Sequence, residues 1–246
     1  AASRITGSEA GVSGQRGGGE RSARRGGRSA SRVLVPLHPK VVVVGENFRF
    51  GHRASGNVET LRELAAGRFE VDGLPLVKFR DEDTCSTRIR EALAAGDVVH
   101  AAEHLGRPFC FRGVVTHGDR RGRELGFPTA NLPVPANLAC PADGVYAGFL
   151  TRRDGLDGRG EPLAEGAPAP RWPAAISVGT NPTFGGLSRR VESYVLDRDD
   201  LELYDAPVTV EFVARIRGQV KFDGSTGLIA QMHADVADCR RLLGLS

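Results

Sequence analysis

The chain has 246 residues, a formal net charge of +3 and a hydrophobic content of 40%. This composition argues against a fully disordered chain and allows one large or two small folded domains. No apolar run approaches the roughly 18 residues that cross a bilayer, so no membrane partner is expected.

The first 32 residues differ in composition from the rest of the chain. They hold eight glycines, seven arginines and two glutamates, a net charge of +5, which leaves about −2 for residues 33–246 by subtraction. Such a segment buries too little apolar surface to offset its chain entropy, so a disordered tail is predicted over residues 1–32. A basic arm that binds RNA or DNA is the alternative. Because the basic charge is confined to the tail, no nucleic-acid partner is expected for the folded part.

Residues 33–106 alternate between strand and helix. Val41–Gly45 is a β-branched run that ends in glycine, which predicts a buried parallel strand. The following segments predict, in order, a helix over residues 58–67, a strand over residues 74–79, a helix capped by Ser86 and a short helix capped by Asp97. This order is typical of part of an α/β sandwich.

From residue 107 onward the segments are short, alternating and separated by Gly/Pro turns, which predicts an antiparallel barrel. The clearest strand is the last, in which Val208, Val210 and Phe212 alternate with more polar residues. Candidate strands cover residues 110–118, 144–153, 172–180, 189–197 and 207–218, and a final helix covers residues 226–243.

The four cysteines form no C-x-x-C pair, and no histidine stands at zinc-finger spacing from them. A chain of this length with so few cysteines does not indicate a disulfide framework. We therefore expect reduced thiols in a cytoplasmic protein, at positions Cys85, Cys110, Cys140 and Cys239.

The segment GRELGFPTAN, residues 122–131, is a tightly specified turn. Pro128 fixes its own φ and pushes Phe127 towards an extended conformation. Thr129 and Asn131 are two residues apart, so on an extended segment their side chains share a face. A hydroxyl and a carboxamide oxygen are suitable ligands for Mg²⁺ beside phosphates. Considered alone, the segment fits a structural Gly-Pro turn with a cluster of surface charges equally well.

GRELGFPTANL resembles the signature of riboflavin kinases, whose Pro-Thr-Ala-Asn segment binds ATP with Mg²⁺. Further segments match that family in the same order: DGVYAG (Asp143–Gly148), ISVGTNPTF (Ile176–Phe184), RRVESYVLD (Arg189–Asp197) and RGQVKFDG (Arg217–Gly224). The resemblance covers residues 109–246 and implies a six-stranded antiparallel barrel with a C-terminal helix.

The resemblance also implies a set of site residues. Glu192 would be the catalytic base, and Thr129 and Asn131 would hold Mg²⁺. The implied ATP-binding residues are Gly118, Arg123, Gly126, Pro128, Thr129 and Asn131. Riboflavin and ATP would be the substrates and FMN the product. Without the resemblance, Glu192 is an ordinary strand residue on the face opposite Val191 and Ser193.

The upstream segments VVGENFRFGHRASGN and CSTRIREAL are similar to the second half of the adenylyltransferase domain in bacterial bifunctional riboflavin kinase/FMN adenylyltransferases, the FAD synthetases. The similarity implies nucleotide or phosphate contacts at Asn47, Ser86, Thr87 and Arg90. Taken alone, STRIR is a capped helix. The family's His-x-Gly-His loop has no counterpart in this sequence, so the first part of that domain is expected to be lost or replaced.

We therefore predict a disordered tail over residues 1–32, a truncated Rossmann-like nucleotidyltransferase segment over residues 33–106 and a riboflavin kinase barrel over residues 107–246. The predicted activity is a cytoplasmic riboflavin kinase that uses ATP and Mg²⁺. Two alternatives stay open. The protein is a full FAD synthetase that also adenylylates FMN, or it is a non-enzymatic flavin- or RNA-binding protein.

Overall fold

The computed structural model describes residues 34–118, 126–183, 186–222 and 224–245, with no side-chain description for residues 181–187 and 225. The predicted tail and Arg123 lie outside the described residues. The chain divides into two compact units, one up to Lys78 and one from Phe79 onward. In the described part of the chain no helix is long and apolar enough to span a bilayer.

The first unit contains strand β1 (Val41–Gly45), helix α1 (Val58–Ala65) and strand β2 (Glu70–Leu74). The strands pair in parallel, from Val41 opposite Glu70 to Gly45 opposite Leu74. Helix α1 begins where the Asn57 side chain accepts a 2.9 Å hydrogen bond from the Thr60 backbone N–H. The predicted helix is thus confirmed, with Leu61 on its buried face.

Two expectations for this unit were wrong. The second strand covers residues 70–74 rather than 74–79, because Pro75 lacks the N–H that would continue the ladder. Val41 and Val43, expected to be buried, are 48% and 55% exposed. Within the described residues β1 pairs with β2 alone, so only part of its surface is covered.

A short hairpin follows, formed by β3 (Lys78–Phe79) and β4 (Glu82–Asp83). Arg80 and Asp81 have φ values of 48° and 65°. A two-residue hairpin turn of type I′ requires positive φ at both of its central residues, so the hairpin geometry accounts for this backbone.

Helices α2 (Ser86–Ala95) and α3 (Val98–Leu105) lie where helices were predicted, and each is followed by a glycine in the left-handed region, Gly96 and Gly106. The Asp97 side chain caps α3 by accepting a 2.9 Å hydrogen bond from the His100 backbone N–H. The N-cap of α2 is Cys85, not Ser86 as predicted, and its side chain makes no capping hydrogen bond. The reason is that Ser86 already has helical geometry, which places it inside the first turn.

Substituting serine for Cys85 is expected to stabilise the protein. A hydroxyl at this N-cap would accept a hydrogen bond from a first-turn N–H, which contributes about 0.5–1 kcal/mol. Thermal unfolding should then shift upward by about 1–4 °C. Cys110→Ser is the control, because Cys110 lies in a strand and caps no helix. An unchanged or lower melting temperature for Cys85→Ser would contradict the capping argument.

The second unit also contains a six-stranded antiparallel sheet in the order β5-β10-β7-β8-β9-β6. The strands are β5 (Phe109–Val114), β6 (Thr129–Pro133), β7 (Gly144–Arg152), β8 (Arg171–Thr183), β9 (Gly186–Val195) and β10 (Pro207–Arg217). Beyond β5, the Thr116 N–H donates a 2.8 Å hydrogen bond to the Asn131 carbonyl of the opposite edge strand. The sheet therefore curls towards closure, which confirms the predicted barrel.

Apolar side chains of one sheet face fill the inside of the curl. Residues that are at most 3% exposed there include Phe111, Leu132, Tyr146, Leu150, Ile176, Val178, Val191, Val208, Val210 and Phe212. Leu93, Val98 and Ala101 of α2 and α3 belong to the same core. These helices therefore pack with the sheet as one unit, and the domain boundary after residue 106 stays a prediction.

The C-terminal helix α4 (Ser225–Leu243) is present as predicted. Its Cys239 is fully buried in a second cluster with Ala147 and Leu196. Arg217 donates two hydrogen bonds, of 2.8 and 2.7 Å, to the buried Asp235 carboxylate of α4. This paired charge joins the helix to the end of β10.

None of the four cysteines forms a disulfide. Burial raises the pKa of Cys140 and of Cys239 to about 11, so both thiols stay protonated at neutral pH. Thiol chemistry at these two positions therefore plays no part in the site described next.

Candidate active site

Strands β6 and β9 bring three predicted site residues together. Asn131 lies directly opposite Glu192, and Thr129 lies two residues before Asn131. Because side chains alternate along a strand, Thr129, Asn131 and Glu192 share one face of the sheet. Leu132 and Val191, on the other face, are fully buried in the core. Packing of the core side therefore determines which side chains face outward.

The Asn131 side chain is held in one orientation. It is only 8% exposed, and its Nδ2 donates hydrogen bonds to the Thr129 carbonyl at 3.0 Å and to Thr129 Oγ1 at 3.4 Å. The carboxamide and the hydroxyl are thus adjacent polar groups on a rigid strand. This is the kind of preorganised pair that suits a binding site.

Gly118 lies directly against this carboxamide. A Cβ atom at position 118 would come within 2.6 Å of Asn131 Nδ2 and 2.7 Å of its Cγ. Only glycine fits there without moving Asn131. Gly126, before the Pro-Thr-Ala-Asn segment, has a φ of +83°, a left-handed conformation that strongly favours glycine.

Replacing Gly118 by alanine is expected to displace the Asn131 carboxamide and lower activity, by up to about 10²-fold for a displacement near 1 Å. Gly227→Ala is the control, because its Cβ would meet Phe222 only at 3.7 Å. Initial rates and melting temperatures of both variants would be compared. A fully active Gly118→Ala protein would show that the position of Asn131 does not matter.

Phe127 anchors the start of the Pro-Thr-Ala-Asn segment. Its ring is 5% exposed and makes edge contacts with Tyr194 of β9 and His233 of α4, at centroid distances of 5.0 and 5.1 Å. These ring contacts of Phe127 hold the start of the segment against β9 and α4. Pro128, which follows, leads directly into β6.

A cavity of about 480 Å³ opens beside Glu192. Its size is within the range usual for small-molecule sites. Ser177 of β8 lies directly opposite Glu192 in the sheet. The lining residues are Asp143, Ser177, Gly179, Thr180, Glu192, Gln219, Val220 and Lys221. Neither Thr129 nor Asn131 is among them, although Asn131 is the strand neighbour of Glu192 on the other side.

Hydrogen bonds hold the polar walls of this cavity. Gln219 Nε2 donates to Ser177 Oγ at 3.1 Å and to the Val178 carbonyl at 2.9 Å. Arg189 Nε donates to Asp143 Oδ1 at 3.0 Å. The cavity is therefore built from side chains that the surrounding structure already orients.

Sequence reasoning did not single out Asp143, Ser177, Gln219 or Lys221. The signal was present, however, because each of the segments DGVYAG, ISVGTNPTF, RRVESYVLD and RGQVKFDG contributes at least one lining residue. Four stretches that are distant in the chain thus meet at one cavity. The barrel fold thus brings these four motifs together, which their positions in the sequence do not show.

The other predicted residues lie in two separate places. Asn47 follows the carboxyl end of β1 in the first unit, where open α/β sheets commonly bind ligands. Ser86 and Thr87 are the first two residues of α2 in the second unit, and Arg90 follows in its next turn. A helix start presents unpaired N–H groups, which suit an anion.

Comparison with protein families identifies the second unit. A family model described as riboflavin kinase matches residues 105–243, more than half of the chain. The chain belongs to the riboflavin kinase family. A second family model, described as FAD synthetase, matches residues 28–88. The predicted pairing of a riboflavin kinase domain with a partial FAD synthetase segment is therefore confirmed.

Relatives of this riboflavin kinase family member include two proteins described as bifunctional riboflavin kinase/FMN adenylyltransferase. The protein from Listeria monocytogenes is 35% identical over 208 residues, which cover 84% of this chain and 61% of the relative. The protein from Escherichia coli strain K12 is 33% identical over 219 residues, which cover 88% and 64%. The chain thus spans less than two thirds of the length of these relatives.

A solved structure described as a macrolide-efflux protein from Streptococcus pneumoniae has a similar fold. The TM-score is 0.63 with 32% sequence identity, over 86% of this chain and 64% of that one. The likeness supports the fold assigned to this member of the riboflavin kinase family.

Proposed function

We propose that this protein is a riboflavin kinase that transfers the γ-phosphoryl group of ATP to the 5′-hydroxyl of riboflavin, giving FMN. The observation that carries the proposal is the shared face of Thr129, Asn131 and Glu192 beside a cavity, in a chain of the riboflavin kinase family. Riboflavin, ATP and FMN are its proposed ligands.

Glu192 is the proposed general base. Its carboxylate is in the middle of β9, between two hydrogen-bonded strands, and it lines the cavity. It would accept the proton of the 5′-hydroxyl while that oxygen attacks the γ-phosphorus in line with the departing ADP. A carboxylate on a rigid strand needs little reorganisation to do this, which favours the reaction.

Thr129 and Asn131 are the proposed Mg²⁺ ligands. The donor set fits, because a hydroxyl and a carboxamide oxygen are hard donors and the two side chains are in contact. When bound, Mg²⁺ would neutralise charge on the phosphates of ATP. Gly118 and Gly126 would let the backbone approach these phosphates, next to Pro128. Arg123 would add positive charge.

A second candidate function is FMN adenylyltransferase activity, which the FAD synthetase match over residues 28–88 favours. Asn47, Ser86, Thr87 and Arg90 are the residues that we propose for nucleotide contacts. Adenylyl transfer needs charge at the α-phosphate to be neutralised by fixed groups. In the resembled family a His-x-Gly-His loop shares this work, and none of the segments matched here contains that motif. Formation of FMN is the activity that we propose first, and adenylylation of FMN is the second.

One assay separates these functions. The protein would be incubated with riboflavin, ATP and Mg²⁺, and riboflavin, FMN and FAD would be separated by chromatography, with a chelator-treated reaction as control. Accumulation of FMN supports the kinase. FAD formed from FMN at a comparable rate, and lost in Arg90→Ala, would establish the second activity. Flavin binding without any product would favour a non-enzymatic flavin-binding protein.

We also propose a cytoplasmic location. It is supported by the four unpaired cysteines, since disulfides are rare in that compartment. No nucleic-acid or membrane partner is part of the proposal.

A further inference from the structure

Glu82, His100 and His104 form a cluster that the proposed kinase reaction does not use. One potential ligand atom from each of the three residues lies within 4.8 Å of the others. Glu82 is on β4, and the two histidines are one turn apart on α3. Their rings meet edge to face at a centroid distance of 4.6 Å. All three residues belong to the second unit.

His104 has an unsatisfied buried nitrogen. Its side chain has no exposed surface, and Nδ1 is hydrogen-bonded to Thr84 Oγ1 at 3.0 Å. Nε2 has no hydrogen-bond partner among the described residues and lies 3.6 Å from Glu82 Oε2, too far for a hydrogen bond. A buried polar atom without a partner is costly, which points to a ligand between these groups.

His100 points at the same carboxylate oxygen. Its Nε2 is 3.9 Å from Glu82 Oε2, while its Nδ1 is 3.5 Å from Glu103 Oε2. Each ring thus has one nitrogen beside an outer partner, Thr84 or Glu103, and the other directed at Glu82. Metal-binding histidines are commonly oriented in this way by their second nitrogen.

The spacing suits a transition metal. Two ligands about 2.0–2.1 Å from a tetrahedral ion lie about 3.3–3.4 Å apart, so small side-chain movements would close the observed gaps. Arg88 would compete with a metal ion for the Glu82 carboxylate, because one of its guanidinium nitrogens lies 3.0 Å from Glu82 Oε2. Both of these side chains are over two fifths exposed, so the ion pair is weak and Arg88 can turn into solvent.

We propose that Glu82, His100 and His104 bind one divalent transition-metal ion of the Zn²⁺ type, with water completing the coordination. Two imidazoles and one carboxylate form a donor set that such ions prefer over Mg²⁺. The ion would link the β4 hairpin to α3 and so stabilise the fold. The proposal stands independently of the kinase reaction.

The test is calorimetric titration of the full chain with ZnCl₂, after chelator treatment and in excess Mg²⁺. We expect one high-affinity Zn²⁺ per chain and a melting temperature that rises with Zn²⁺ concentration. Thr84→Val should weaken binding about 10–100-fold, as loss of an outer partner commonly does. Glu82→Gln and His100→Ala should weaken it further. Arg88→Gln, which removes the competing cation, should bind at least as tightly as the original protein.

His38→Ala is the matched control, because His38 is exposed and lies outside the cluster. Circular dichroism without metal would verify that each variant is folded, and His100 is 38% exposed at the side chain, so its loss should be tolerated. The proposal is overturned if the protein binds no Zn²⁺, or if His100→Ala and Glu82→Gln, both folded, bind as tightly as His38→Ala.

Discussion

Glu192→Gln is expected to lower the rate of FMN formation by about 10²–10⁴-fold, the usual contribution of a general base. The amide keeps the size of the side chain but cannot accept the proton of the 5′-hydroxyl. Riboflavin binding should change little, because the cavity walls are held by other contacts such as that of Gln219 with Ser177. Turnover would be measured by chromatography, and flavin binding by quenching of flavin fluorescence.

The matched control is Glu211→Gln, the same change on β10. Glu211 is paired with Arg171 and is not among the residues that line the cavity. Its loss should leave turnover close to that of the original protein. If Glu192→Gln kept activity within twofold, Glu192 would not be the base, and the proton would have to leave by another route.

Asn131→Ala and Thr129→Ala are expected to lower kcat/KM for ATP by about 10²-fold each, the scale on which removal of one electrostatic group from an active site acts. The reason is loss of a proposed Mg²⁺ ligand. The two losses should not add fully, because Asn131 Nδ2 is hydrogen-bonded to Thr129 and each side chain orients the other. Higher Mg²⁺ concentrations should partly restore activity in both variants.

Asn137→Ala is the control for this pair, because Asn137 is exposed in the loop beyond β6. Melting temperatures would separate loss of function from loss of fold, which matters for the buried Asn131. Normal dependence on ATP and on Mg²⁺ in both site variants would mean that the segment is only a structural turn.

Local elements could be predicted because their signals lie within a few residues. Asp97 before α3 and the glycines after α2 and α3 mark helix ends through hydrogen bonds and backbone conformations that involve only neighbouring residues. The shared face of Thr129 and Asn131 follows in the same way, from alternation along an extended strand. These expectations required no knowledge of distant contacts.

The larger error concerns a strand whose formation depends on a distant pairing partner, and the smaller one concerns the exact residue at a helix start. Residues 70–74 contain Glu70 and Asp72 and do not form an apolar run, yet they form a strand because β1 pairs with them. At α2 the error was one residue, since Cys85 takes the cap position that the serine after it was expected to hold. The energy of strand pairing and the backbone geometry of neighbouring residues can outweigh the local preference of a segment for strand, helix or cap.

By itself, the sequence determined the family, the order of the two modules, most helix ends and the face shared by Thr129 and Asn131. Tertiary structure alone decided that Asn131, Glu192 and Ser177 are neighbours across three strands, because strand register depends on how the whole sheet packs on its core. It also decided that His100 and His104 meet Glu82, which is distant in the sequence. The residues of each group come from different parts of the sequence, and no local pattern links them. Only the folded barrel and its helices bring them together.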